Sequence, residues 1–152
     1  MKKTIAALLC AGLLSAATAA CAYQECYTLS GGAFFLGEGD MHLTLTIEAL
    51  SGGGDVFKVV GRGTNATHDH IFFHGSAKIS DRAKEFSLWG SGFHDLPGFA
   101  SSTLLSLSVM YEYHLALSPG DAGWAGKYAG EVHTDEGNEG DVSGAVTEVS
   151  CP

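Results

Sequence analysis

Two histidines in the middle of the chain have the spacing of metal ligands. His68 and His70 are two residues apart, so in a β-strand their side chains point the same way, with Cα atoms about 6.5–7 Å apart. Neutral imidazoles placed in this way can bind one zinc or copper ion. Residues 67–95 predict a β-hairpin, and its register decides whether Asp95 or His94 lies beside His70 as a third ligand. The alternative interpretation is a solvated strand end with no metal.

Two other groups of polar residues could do chemistry. Residues 135–141 are acidic and could offer carboxylates to calcium, although an acidic hairpin turn explains them equally well. Six side chains on polar strand faces could line a barrel interior and perform acid–base catalysis, or could face solvent: His42, Glu48, Glu112, His114, Glu131 and His133. The chain contains no nucleophile elbow, phosphate-binding loop or cysteine–histidine pair, so no catalytic residue is assigned and an enzyme is not favoured.

The elements that must position these residues are β-strands. Apolar residues recur at every second position, most clearly in residues 40–50 and 105–117, and glycines interrupt the pattern. Strands are predicted at 26–29, 33–36, 40–50, 56–63, in the two arms of the 67–95 hairpin, and at 105–117, 127–133 and 141–151, with a wide turn at 118–123. This succession, without crossover helices, predicts an all-β fold.

The predicted architecture is an antiparallel up-and-down barrel of about eight strands, because closure removes exposed strand edges. A β-sandwich is the alternative. The larger aromatic residues are assigned to the core or, in a hollow barrel, to an apolar pocket at its mouth: Trp89, Phe93, Tyr111, Tyr113 and Trp124.

The first 22 residues have the layout of a cleaved signal peptide. Two lysines precede an apolar run from Ile5 to Leu14, which is too short to span a bilayer as a helix, and small residues follow. Thr18 stands where a lipoprotein signal carries leucine, which argues against a lipid anchor at Cys21. The sequence therefore predicts a periplasmic or secreted protein with one all-β domain at residues 23–152 that does not span a membrane.

The cysteines support export and predict a disulfide bond. Cleavage after Ala22 leaves Cys26 and Cys151, which would pair in an oxidising compartment. This bridge would close a loop of about 125 residues and stabilise the fold by about 4–5 kcal/mol in the chain-entropy model. The alternative is a Cys21–Cys26 bridge after an earlier cut.

Charge and composition narrow the function further. The formal charge of −9 disfavours nucleic acid as a partner. A stable scaffold without a catalytic set predicts a non-enzymatic binding module for a small ligand or a partner protein. The alternatives are a divalent transition-metal-binding protein that uses His68, His70, His94 and Asp95, and a barrel enzyme with carboxylates and histidines in its lumen. Apart from this zinc or copper ion, no cofactor is expected.

Overall fold

Eight antiparallel strands close into a barrel in the computed structural model, which describes residues 22–31, 40–50, 54–65, 71–95, 106–134, 137 and 139–152. The strands are β1 (Ala22–Ser30), β2 (Met41–Ala49), β3 (Val56–Thr64), β4 (Ile71–Ile79), β5 (Lys84–Asp95), β6 (Ser106–Gly120), β7 (Gly123–Thr134) and β8 (Glu139–Val149). Each strand pairs with the next in the chain, and β8 pairs with β1. The predicted up-and-down barrel is confirmed. Within the described ranges, no helix has the length and apolar character needed to cross a membrane.

Alternation along each strand sends apolar side chains into the barrel and polar side chains outward. In β2, Met41 and Leu43 are buried while His42 between them is exposed. The same alternation in β6 buries Tyr111 and Tyr113, as predicted. Inward apolar side chains from all eight strands pack together in one core.

Large side chains in this core lie opposite glycines on the neighbouring strand. Phe73 pairs with Gly90, Tyr113 with Gly130 and Tyr128 with Gly144. A Cβ atom at Gly90 would lie 2.4 Å from the Phe73 ring, so the aromatic ring occupies the space that a side chain there would need. The rings contact one another in series, with centroid distances of 5.8 Å for Phe73–Tyr113 and 5.7 Å for Tyr113–Tyr128. The part of the interior formed by the described residues is therefore a packed core.

The turn predicted at residues 118–123 is much shorter than expected. β6 continues through Pro119 to Gly120, and Gly123 already begins β7, with a two-residue turn between them. Proline is tolerated here because β5 begins at Lys84, opposite Leu117, so the last residues of β6 have a paired strand on one side only. The strand predicted at 33–36 lies outside the described residues.

One end of the barrel, here called the tight-turn end, carries the short β4–β5 and β6–β7 connections. In the β4–β5 turn, Ser80 Oγ accepts hydrogen bonds from the backbone N–H groups of Arg82 and Ala83, at 3.3 and 3.0 Å. The first residues of β1 and the last residues of β8 lie at the same end, since both strands are antiparallel to their neighbours.

The two cysteines expected to pair lie together at this end. Cys26 in β1 and Cys151 after β8 are at disulfide distance, with Cα atoms 5.2 Å apart. Cys26 lies opposite Val149 in the β1–β8 ladder, so the cysteine pair stands beside the seam that closes the barrel.

Candidate binding surface

The residues of the predicted metal site fall largely outside the described structure. His68 and His70 precede β4 and are not among the described residues. His94 and Asp95 end β5, where their backbones pair with Leu107 and Ser106, but their side chains are not described. Elsewhere in the described ranges, no group of three or more His, Cys, Asp or Glu side chains could hold a metal ion. Zinc or copper binding at the His68/His70 position stays a prediction, as does calcium binding in the partly described 135–141 segment.

The register of the β4–β5 hairpin places apolar residues opposite apolar or small ones. Phe73 pairs with Gly90 and Ala77 with Phe86, so Ile71 and Phe73 share the inner side with Phe86 and Leu88. This agrees with the register that matches apolar with apolar in the sequence. Trp89, which was expected in the core, then points outward.

The histidines and glutamates considered for acid–base catalysis lie on the outside of the barrel. Each occupies an outward position between inward-facing neighbours in the strand alternation: His42, Glu48, Glu112, His114, Glu131 and His133. The hypothesis that they line a lumen is wrong, because the interior positions are taken by the apolar residues of the core.

Three of the outward polar residues on β5 and β6 form a hydrogen-bonded series. Ser87 Oγ lies 3.2 Å from His114 Nδ1, and His114 Nε2 lies 3.3 Å from Glu112 Oε1. The residue types are those of a hydrolase triad, but the His114 and Glu112 side chains are 57% and 41% exposed, so water competes for these hydrogen bonds. Acyl transfer also needs backbone or side-chain donors aimed at an oxyanion, whereas the surrounding backbone belongs to the β5–β6 and β6–β7 ladders. The series supports polar recognition rather than nucleophilic catalysis.

A shallow groove of about 430 Å³ runs over β6, β7 and β8 beside this series. The groove is open at its floor because the β7 residues beneath it, Ala129 and Gly130, have almost no side chain. Charged side chains line its sides. We call it the acidic groove, lined by Glu112, His114, Ala129, Gly130, Glu131, Asp141, Val142 and Ser143. Glu112, Glu131 and Asp141 follow one another across the three strands as direct cross-strand neighbours. The groove could not be found from the sequence, because its residues come together only through the register of three strands.

An exposed apolar patch lies next to the groove on β4, β5 and β6. It consists of Phe72, Trp89 and Met110, which are 54%, 43% and 58% exposed. We call this set the outer apolar patch. The three side chains share one face around Ser91, which pairs with both Phe72 and Met110. Trp89 is two residues along β5 from Ser91, so it is a diagonal neighbour of both Phe72 and Met110.

Charged side chains flank the outer apolar patch on both sides. The Arg62 guanidinium lies over the Phe72 ring, 5.4 Å from its centroid, and marks the β3 side. Trp89 pairs directly with Glu112 and so joins the patch to the acidic groove. The His74 ring lies 6.3 Å from the Trp89 ring and extends the patch along β4. Patch and groove form one continuous outer surface over β4–β8.

A separate polar cluster is buried at the tight-turn end. Lys84 is only 5% exposed. Its Nζ atom contacts Glu25 Oε1 and lies 3.4 Å from the Tyr27 hydroxyl oxygen. The same Nζ atom stands 4.7 Å from the centroid of the Trp124 ring. The Tyr27 hydroxyl donates a hydrogen bond to the other Glu25 oxygen. Burial, together with the Glu25 carboxylate, raises the pKa of Tyr27 well above its ordinary value. Trp124 thus covers an ion pair, and this cluster closes the barrel end.

Comparison of the chain with protein-family models, curated proteins and solved structures found no match.

Proposed function

We propose that this protein is an exported, non-enzymatic binding module that recognises a partner protein with the outside of its barrel. The observation that carries the proposal is the outer apolar patch, since three large apolar side chains that are side by side and about half exposed are typical of an interaction site. The signal-peptide pattern and the placement of Cys26 and Cys151 support export.

The packed core favours a partner protein over a small ligand held inside the barrel. Small-ligand barrels keep an apolar cavity with a few polar groups directed into it. Here the inward positions carry Phe73, Tyr111, Tyr113 and Tyr128, whose rings contact one another. The outward side chains include many charged residues, which supports a barrel that stands in water and offers its outer surface for binding.

Site-specific photo-cross-linking in the native cell tests the proposal. A photoreactive amino acid replaces Ser91, an exposed residue at the centre of the outer apolar patch. The control carries the same group in place of Thr147, an exposed residue of β8 whose ladder partners are Ala125 and Thr28. We expect a discrete protein adduct at position 91 that is absent at position 147. The same adducts at both positions, or none at position 91, would contradict the proposal.

A further inference from the structure

We infer that the partner segment is cationic, with an apolar side chain on the outer apolar patch and lysine or arginine in the acidic groove. This inference rests on the proposed function and adds the chemistry of the partner. It follows from the direct junction of the two surfaces at the Trp89–Glu112 pair.

Charge complementarity selects a cationic occupant for the groove. Glu112, Glu131 and Asp141 project from three adjacent strands. The lining of the groove holds these three carboxylates and a single histidine, His114, so its charge is negative whichever form that histidine takes. A lysine or arginine of the partner would meet these carboxylates at a partly desolvated interface, where charge-assisted hydrogen bonds are strongest.

The strand register also limits how the segment can bind. The middle of each strand is hydrogen-bonded on both sides, so the partner cannot add a strand and must be recognised by its side chains. Strands lie about 4.8 Å apart, which puts β5 and β7 about 10 Å apart. This distance is about three residues of a segment in the polyproline II conformation, in which side chains three residues apart point the same way. An apolar residue over Trp89 and a basic residue beside Glu131 therefore stand about three residues apart. Arg62 at the opposite margin disfavours a second basic residue there and gives the segment a direction.

Peptide binding to the mature protein tests the charge of the partner. The probes are two short peptides with the same leucine and phenylalanine positions, one with lysine and the other with glutamate at the intervening positions. We expect the lysine peptide to bind at least about tenfold more tightly, with an affinity that falls when salt is raised from about 50 to about 300 mM. Calorimetry gives the affinity, and the fluorescence of a Trp124→Phe protein, in which Trp89 is the remaining tryptophan, reports contact with the patch.

Two variants with the same net charge make the test specific. Glu112→Gln/Glu131→Gln/Asp141→Asn removes the charge of the acidic groove, and Asp55→Asn/Asp81→Asn/Asp121→Asn removes three exposed carboxylates near the tight-turn end. We expect the groove variant to lose the preference for the lysine peptide and the control variant to keep it. Equal affinity for both peptides, no binding of the lysine peptide, or equal loss in both variants would overturn the inference.

Cross-linking separates this inference from the proposed function. An adduct at position 91 whose cross-linked segment is neutral or acidic would overturn the cationic partner and leave a binding surface in place. Absence of any adduct at position 91 would refute the proposed function itself.

Discussion

At the scale of single residues, the tight-turn end depends on Lys84. A buried ammonium group is tolerable only with a counter-charge and hydrogen-bond acceptors, and Glu25 and Tyr27 supply them. The Trp124 ring adds a cation–π contact on another side. Lys84 pairs with Ile79 and Leu117, at a position where an apolar residue would be expected from strand alternation. Because Lys84 is charged, loss of either Glu25 or Tyr27 should destabilise this end of the core.

Removal of the Glu25 charge should destabilise the barrel strongly. Glu25→Gln leaves the buried Lys84 ammonium without a counter-charge, and we expect the free energy of unfolding to fall by about 3–5 kcal/mol. The matched control is Glu48→Gln, which breaks the exposed Lys58–Glu48 pair and should cost less than about 1 kcal/mol. Urea denaturation measures both. The double variant Glu25→Leu/Lys84→Met should regain most of the loss, and equal effects of Glu25→Gln and Glu48→Gln would contradict the role assigned to the pair.

Tyr27 should make the folded state sensitive to alkali. Its pKa is raised in the folded protein by burial and by Glu25, whereas in the unfolded chain it stays near 10.0. The stability linked to this group is thus fully present below pH 10 and is lost above it, by about 1.4 kcal/mol per pH unit, because only the unfolded chain releases the proton. Tyr27→Phe should be less stable at pH 8, and the difference from the wild type should shrink above pH 10. Parallel stability curves of the two proteins would contradict this linkage.

Metal titration tests the predicted ligands His68 and His70. We expect zinc or copper to bind the mature protein at pH 7.5 and the affinity to fall as pH drops through about 6.5, because binding requires neutral imidazoles. Titration calorimetry compares the wild type with His68→Ala/His70→Ala. His42→Ala/His114→Ala, which removes two histidines from the outside of the strands, is the control. If the wild type binds no better than the first variant, the metal prediction is refuted.

At the scale of strands, glycines set how closely neighbouring strands pack inside the barrel. β7 places Gly126, Tyr128, Gly130 and Val132 at successive inward positions, and each pairs with a residue of β8. Tyr128 lies over Gly144, whose added Cβ would stand 2.8 Å from the tyrosine ring and 2.0 Å from the Ser30 carbonyl oxygen. Small residues are therefore required opposite the large rings of the core.

A single methyl group at Gly144 should destabilise the barrel. Gly144→Ala forces the Ser30 backbone or the Tyr128 ring to move, and overpacking of this kind costs about 1–3 kcal/mol or more. Ala145→Ser, at the next and exposed position of β8, is the control and should change stability by less than about 0.5 kcal/mol. Thermal unfolding measures both variants. A Gly144→Ala protein as stable as the control would show that the core can relax around the methyl group.

The strands differ in how well the sequence predicts them, and the cause is the side chain at each inward position. β2 and β6 were predicted because their inward residues are large and apolar without interruption. In β7 the inward positions alternate between glycine and larger residues, so period-two hydrophobicity is weak and the strand was predicted to begin at Lys127 instead of Gly123. Trp89 was assigned to the core because it is large and apolar, although alternation within β5 places it on the face opposite Phe86 and Leu88. The acidic groove depends on the pairings of Glu112 with Glu131 and of Glu131 with Asp141, which no local pattern fixes, and it was not predictable.

At the scale of the whole molecule, the β1–β8 seam joins the two ends of the folded domain. Its ladder pairs only residues 26–30 with 145–149, whereas β5 and β6 pair over the whole length of β5. Contacts between such distant parts of the chain carry the largest loop-closure entropy. Cys26 and Cys151 stand at the tight-turn end of this seam, where a covalent bond offsets that entropy most effectively.

Loss of the Cys26–Cys151 bridge should therefore loosen the seam first. Peptide mapping under non-reducing conditions should recover these two cysteines in one linked pair. In Cys26→Ser/Cys151→Ser we expect the free energy of unfolding to fall by up to about 4–5 kcal/mol, the loop-entropy value for the 125-residue separation. Hydrogen exchange should rise in β1 and β8 more than in β5 and β6, because the short ladder no longer has its covalent support. The wild type kept in reductant is the control and should behave like the variant. A free Cys151 with Cys26 engaged elsewhere, or a uniform rise in exchange over all strands, would refute this account of barrel closure.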